Sequence, residues 1–373
     1  MGLIFRSYLL PGLVFLAVVI GGGYSTGREL VQFFLPAGPR GGLLGMLVTA
    51  CIWSAALAVT FELARLTRSY DYKSFFTQLL GRGWILFEAA YFIYLLIVLA
   101  VIGAAAGAVS AESFGLPATV GTLVMMILVG LLVFFGSGLI AKVLTLWAVL
   151  LYGLYIVVIV WSFAAFGDRI AQSFRTAPMG GGWVQAGITY AGYNLSGIPA
   201  VLFCLRSITR RREAIMAGVM AGPLAMLPGA LLFVAMTSQL PQIGREAVPS
   251  NYLIGQLHEP LLRAAFQIIF FGVLVKTGAA MLHAINERIA RVYETSGKSM
   301  PRALRAGIAL AALALSALIA ATFGLVVLVA KGYGSLTYVF IALLVIPLLT
   351  VGVWRIAVAA ARGRISMAGP TDA

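Results

Sequence analysis

The stretch Gly21-Gly22-Gly23-Tyr24-Ser25-Thr26-Gly27-Arg28-Glu29 decides the fold. Apolar chain runs up to it from Tyr8 to Ile20 and away from it from Leu30 to Leu35, so the glycines fall near the middle of a membrane span. In lipid an unpaired backbone group costs several kcal/mol. Irregular backbone at that depth therefore survives only where it is buried in protein or lines a watery cavity. Three consecutive glycines also give up helix propensity of roughly 0.8–1 kcal/mol each. The stretch is expected to be a broken helix with a binding site at the break. The alternative, a glycine kink for helix packing, would space its glycines by three intervening residues and would not bring Arg28 and Glu29 with them.

Composition sets the class. With 61% hydrophobic and 10% charged residues over 373 positions, the chain is expected to be a polytopic α-helical membrane protein. The net charge of +14 is scattered in short clusters between apolar runs, which marks loops on one side of a membrane and excludes a nucleic-acid partner. Cys51 and Cys204 both lie in apolar stretches and have no metal-type spacing, so free thiols are expected. Arg6 and the apolar run behind it are followed by the glycine break and another helix rather than a cleavage site, so this segment is expected to be retained as the first span.

Apolar runs predict ten spans, at about 8–35, 41–65, 83–111, 117–136, 140–166, 183–206, 213–238, 260–292, 302–322 and 333–357. Residues 323–331 are apolar but too few to span, and are expected to form a short interfacial helix. Lys and Arg divide 18 to 6 between the two sides of this scheme, with Arg28 and Lys276 inside spans. The richer side is the cytoplasmic one by the positive-inside rule, which places both termini in the cytoplasm and the protein in the cell membrane.

A second break is expected within Tyr190-Ala191-Gly192-Tyr193-Asn194-Leu195-Ser196-Gly197-Ile198-Pro199. Pro199 removes a backbone donor, and Asn194 and Ser196 can satisfy groups it frees. A simple proline kink would explain this stretch alone, but the two breaks lie about 171 residues apart, as do the starts of helices 2 and 7. Each half then reads as five helices with the first broken. The expected organisation is 1–166 as the first five-helix unit, 167–182 as an extracellular connection, 183–358 as a second, inverted unit, and 359–373 as a cytoplasmic tail. An odd number of spans per unit forces the inversion, and such repeats hold their substrate near the bilayer midplane.

Ten helices in two inverted fives, with helices 1 and 6 discontinuous, resembles the LeuT fold of the amino acid–polyamine–organocation superfamily. The wording of Gly21–Glu29, of Tyr193-Asn194-Leu195 and of His283-Ala284-Ile285-Asn286-Glu287-Arg288 is similar to YkvI-like bacterial membrane proteins. The resemblance implies a secondary transporter working by alternating access, with no cofactor. The breaks point the same way on physical grounds. A half-helix starting near Ser25 would offer amides and a dipole to a carboxylate, and carbonyls at Gly21 and Gly22 would suit an ammonium or a cation. Amino acids or related zwitterions follow as the substrate class.

Substrate contacts are expected from Gly22, Gly23, Tyr24, Ser25, Thr26, Gly27, Tyr190, Tyr193, Asn194 and Ser196, with Tyr91 and Tyr94 of helix 3 as further candidates. Glu88, one turn from a helix end, is expected to be solvated, and Glu62 with Arg65 to be an exposed pair. On helix 8, Gly272, Lys276, Ala280, His283 and Glu287 form one stripe. A lysine at mid-membrane costs ~2.5–3.5 kcal/mol and usually marks an ion or substrate path.

In sodium-coupled transporters of similar type, an ion lies between the helix 1 break and helix 8 hydroxyls. Here Thr277 offers a hydroxyl, but Lys276 would hold the cation's place against Gly21 and Gly22, which implies coupling to H+ rather than Na+. The competing arrangement pairs Lys276 with Glu29 as a static bridge. Arg28, Glu29, His283 and Glu287 are expected along the pathway, with Glu287 paired to Arg291. The 239–259 segment is expected to be an extracellular lid, against the alternative of a passive connection. No phosphate loop, metal-ligand spacing or nucleophilic triad is visible, so an enzyme is not expected. A non-transporting receptor or sensor of the same fold, or a sodium symporter, are the rival functions.

Overall fold

The computed structural model describes residues 5–134, 137–295 and 300–367, so residues 368–373 of the expected tail lie outside the described residues. The side chains of Lys142, Arg291, Lys298, Arg302, Arg362 and Arg364, counted above for orientation, also lie outside them. Every regular element among the described residues is helical. Six runs are long and apolar enough to cross a membrane by length and composition: Arg28–Thr67, Tyr72–Phe114, Val149–Thr176, Arg211–Thr237, Pro260–Ala290 and Ala303–Ala361. A helix suits this composition because it satisfies all its backbone groups internally.

The first helix is interrupted twice. A π-helical turn, Phe5–Leu9, leads into α1 (Leu10–Val19). Gly21 is extended, at φ −97° and ψ −161°, and a single turn follows as α2 (Gly22–Ser25). Gly27 then takes the left-handed conformation, φ 73° and ψ −6°, before α3 (Arg28–Phe34). The second half-helix therefore starts at Arg28, not near Ser25. The Ser25 amide is engaged by the Gly21 carbonyl at 3.0 Å, and the Arg28 amide donates to Thr26 Oγ1 at 3.0 Å. Gly27 is required by contact as well as by φ, since a Cβ there would fall 2.2 Å from Met236 Cε and 2.9 Å from Ser250 Oγ.

Next come α4 (Gly38–Thr67), α5 (Tyr72–Leu80) and α6 (Trp84–Phe114). The expected polar loop between the second and third spans thus contains a helix, capped by Asp71 accepting from the Ser74 amide at 2.9 Å and burying Phe75, Phe76 and Leu79. After α7 (Ala118–Phe134), α8 (Ser137–Thr176) bends at Phe166 and stays helical through residues expected in the following connection. In the second broken region, α9 (Trp183–Asn194) stops and tightens into two 3-10 segments, Leu195–Ala200 and Leu202–Ser207.

The remaining helices are α10 (Arg211–Thr237), α11 (Pro249–Gly255), α12 (Pro260–Thr295), α13 (Arg302–Val327), α14 (Gly334–Phe340) and α15 (Val353–Met367). Residues 323–331 do not make a separate interfacial helix. Gly324, at φ 68° and ψ 171°, breaks α13, and the chain beyond it runs on through π-helical turns toward α14 and α15. Leu325, Leu328 and Val329 are buried there, which carries this stretch into the bundle.

Backbone contact between small residues joins α4 to α10. A Cβ on Gly218 would lie 2.3 Å from the Ala58 backbone, and one on Gly222 would lie 2.3 Å from the Ala50 carbonyl. Such close approach maximises dispersion where lipid offers no hydrophobic drive. Around this pair α1 packs on α10 and α9 on α4, while α6, α7, α12 and α13 pack on one another.

Candidate functional site

The two interrupted helices meet through a carboxylate. Tyr193, at the end of α9, donates its hydroxyl to Glu29 Oε2 at 2.5 Å across 164 positions of sequence. Both residues are buried, Glu29 at 4% and Tyr193 at 2% exposure. Tyr190 lies near the same carboxylate without reaching hydrogen-bond geometry. Tyr333 stacks on Tyr193 with ring centroids 4.8 Å apart and planes at 17°. On the other side of the break, Tyr155 of α8 donates to the Ser25 carbonyl at 2.9 Å. Among the described residues no Lys, Arg or His nitrogen lies within 4.0 Å of Glu29.

Several expected residues gather here. Ser25, Thr26, Tyr190, Asn194 and Ser196 are all buried beside the break or within the second one. The Asn194 amide donates to the Tyr190 carbonyl at 3.0 Å, closing the end of α9. Tyr24 is turned toward α10, where its hydroxyl stands over Gly229. Gly21 opens the break, Gly22 and Gly23 lie in α2, and Gly27 is the second joint. Tyr94 lies 6.3 Å from Tyr333, centroid to centroid, and so reaches the cluster, whereas Tyr91 stacks on Phe87 one turn away.

The helix 8 candidates are placed differently. Thr277 Cγ2 would meet a Cβ on Gly21 at 3.8 Å, so α12 does border the break. The Thr277 hydroxyl is bound to its own helix, donating to the Val273 carbonyl at 2.9 Å. Lys276 is half-buried on the stripe of Gly272, which packs on Trp147 of α8. Among the described residues its ammonium reaches neither the break carbonyls nor Glu29. The Gly21 carbonyl that was to receive it is occupied by the Ser25 amide. His283 is half-buried, and Glu287 pairs across to Arg305 of α13 at 3.3 Å.

The 239–259 connection packs against α3 and the second joint. Arg28 donates from one guanidinium nitrogen to the carbonyls of Gly244 at 3.2 Å and Glu246 at 3.1 Å, and from the other to Gln32 at 2.7 Å. The Ser250 amide donates to the Thr26 carbonyl at 2.9 Å, and Asn251 donates to Glu112 at 3.1 Å. Arg28 therefore points away from its neighbour Glu29.

At the far end of α6 stands a cluster that sequence reasoning missed. Glu88 accepts from Arg288 at 2.6 Å and from the Tyr72 hydroxyl, and is not simply solvated. The Arg288 guanidinium lies 4.2 and 4.3 Å from the ring centroids of Tyr72 and Tyr91. The Glu62–Arg65 pair is likewise not exposed: Glu62 is 2% accessible, binds Arg65 at 2.7 and 2.8 Å, and has Arg211 at 3.8 Å. It ties α4 to the start of α10. Tyr155 and Tyr333 were also missed: Tyr155 follows Tyr152 in an apolar run, and Tyr333 stands between Gly332 and Gly334 at the edge of another.

No protein-family profile matches the chain. Over 284 residues, 74% of this chain and 79% of the relative, it is 25% identical to the uncharacterized membrane protein YkvI of Bacillus subtilis (strain 168). Among solved structures it is similar to a mutant form of the Eremococcus coleocola manganese transporter, at a TM-score of 0.51 and 15% identity, covering 92% of this chain and 78% of that one. The same transporter in complex with an aromatic bis-isothiourea substituted compound gives a TM-score of 0.50 at 17% identity, covering 93% and 78%. At these identities the likeness is one of fold.

Proposed function

We propose that this membrane protein is a secondary active transporter that moves a small organic solute, an amino acid or related zwitterion, by alternating access and without sodium. The observation that carries the proposal is the Tyr193–Glu29 bond, because it joins the two interrupted helices at a buried polar site. Interrupted helices at membrane depth are where transporters bind.

The ten-span, two-unit organisation belongs to the same proposal. In it, α1 to α3 form span 1, α9 and its 3-10 continuation form span 6, and α14 with the helical chain that leads into α15 forms span 10. Its support is reciprocity of packing. α1 lies on α10 as α9 lies on α4, and α6 lies on α13 as α12 lies on α7, which an internal two-fold relation between units requires. The end bearing Arg288, Arg65 and Arg211 faces the cytoplasm in this scheme, and the 239–259 connection forms the external lid.

The similar structures are named for a manganese transporter, but at 15% and 17% identity that likeness is one of fold, and the substrate class proposed here rests on the interrupted helices instead.

The test is uptake of radiolabelled amino acids by purified protein in liposomes under imposed pH and sodium gradients. Accumulation under a pH gradient alone is the expected result. Strict sodium dependence would overturn the coupling, and saturable binding without flux would make the protein a receptor.

A further inference from the structure

A carboxylate sealed inside a membrane protein requires a positive charge. Leaving one buried without a cation costs several kcal/mol, and a single phenol hydroxyl does not make up that loss. Glu29 is in this position. Six tyrosines, Tyr24, Tyr94, Tyr155, Tyr190, Tyr193 and Tyr333, stand close enough to feel its charge. They come from α2, α6, α8, α9 and the π-helical turn Leu328–Tyr333, and hydroxyls supply hydrogen bonds but no charge.

The charged residues on elements packed against α3 are directed elsewhere. Arg28 is spent on the carbonyls of Gly244 and Glu246. Arg40, Arg245 and Lys331 are exposed, and the Glu246 carboxylate accepts from Gln242 at 2.7 Å. Lys276, on the neighbouring α12, makes no ion pair with Glu29.

We propose that Glu29 is the residue that takes up and releases the transported proton. This rests on the transporter reading and names its coupling site. In the closed arrangement the acid is neutral and hydrogen-bonded with Tyr193. When α9 separates from α3, that bond breaks, water enters, and the proton leaves the carboxyl group to the newly opened side. The carboxyl O–H bond breaks and an O–H bond forms on the entering water, and no other covalent bond changes. Because Tyr193 sits on the second interrupted helix, the affinity for the proton differs between the two arrangements. Such a difference is what allows a proton gradient to bias a conformational equilibrium.

Infrared difference spectroscopy on the full-length protein, recorded between acidic and alkaline buffers, reads the proton directly. The wild type should show the carbonyl stretch of a protonated carboxylic acid. Glu29→Gln should lose that band, and Tyr193→Phe should shift it without abolishing it. A spectrum unchanged by Glu29→Gln would overturn the assignment. If the Gln variant does not fold, Glu29→Asp keeps the acid and must displace the band, and an unmoved band is equally fatal. In proteoliposomes given a mixture of radiolabelled standard amino acids on the outside, accumulation driven by a pH gradient should fall in Glu29→Gln to the level seen without a gradient. Undiminished accumulation would overturn the proposal. Should the wild type move none of these probes, the transporter reading fails while the infrared band still decides whether Glu29 holds a proton.

Discussion

Glu88 on α6 and Arg288 on α12 lie 200 positions apart in sequence and meet at 2.6 Å. The guanidinium lies over the rings of both Tyr72 and Tyr91 and so adds α5 to the same knot. A lysine would keep the charge and lose the guanidinium's broad contact with the two rings and its forked donors. Arg288→Lys should therefore cost about 1 kcal/mol of stability and Arg288→Ala about 2 kcal/mol, the span for cation–π contacts from exposed to desolvated sites. Thermal unfolding in detergent measures both, and identical midpoints for the wild type and Arg288→Ala would show that the knot holds nothing together.

Gly27 and Gly115 form a matched pair for a backbone test. Both have positive φ, 73° and 64°, but only Gly27 is crowded, whereas a Cβ on Gly115 would meet nothing within 4 Å. Gly115→Ala should cost only the left-handed strain, about 1–2 kcal/mol. Gly27→Ala adds displacement of Met236 and Ser250, and should lose clearly more stability than its partner. Equal losses would mean that Met236 and the 239–259 connection yield freely at that point.

Arg28→Met should loosen the 239–259 connection. Hydrogen bonds to a charged group are worth roughly 1.5–3 kcal/mol, and the carbonyls of Gly244 and Glu246 would lose theirs. Hydrogen exchange and limited proteolysis across residues 242–255 should both accelerate, with the membrane-embedded helices unaffected. Unchanged protection would show that the amide contact of Ser250 to Thr26 is sufficient alone.

Lys276→Met should leave the protein at least as stable as the wild type, with a gain on the order of 1 kcal/mol, a part of the ~2.5–3.5 kcal/mol that a lysine costs at a helix centre. The lysine is half-buried and without a partner among the described residues, so its removal strands no other charge. A fall in the unfolding midpoint would reveal a stabilising role for the ammonium.

Local chemistry was legible in the sequence, and meetings across distance were not. Three glycines in an apolar run announced the first break because no continuous helix tolerates them cheaply, and Pro199 behind Gly197 marked the second. Glu29 and Tyr193 were both singled out, but nothing in a linear pattern says that residues 164 positions apart share a hydrogen bond. Glu88 and Glu62 were expected in solvent because acids near helix ends usually are. Each is drawn inward by an arginine whose position depends on packing. Tyr155 resembled an ordinary apolar-run aromatic and Tyr333 a residue at the end of one, and only the fold turns them toward the break. Lys331 and Gly332 suggested the edge of a span, yet Lys331 stays exposed while the helix continues past it.

The backbone contact between α4 and α10 has a mechanical consequence. With Gly218 against Ala58 and Gly222 against Ala50, one helix cannot slide or rotate on the other without colliding main chain with main chain. The pair behaves as a single stiff beam running the depth of the bundle. Each end of the beam adjoins a segment of low bending resistance, the Gly21–Gly27 joint on one flank and the 3-10 turns Leu195–Ser207 on the other. Regular helix is interrupted in both of those joints, and directly beside them stand the two residues, Tyr193 and Glu29, that join across them.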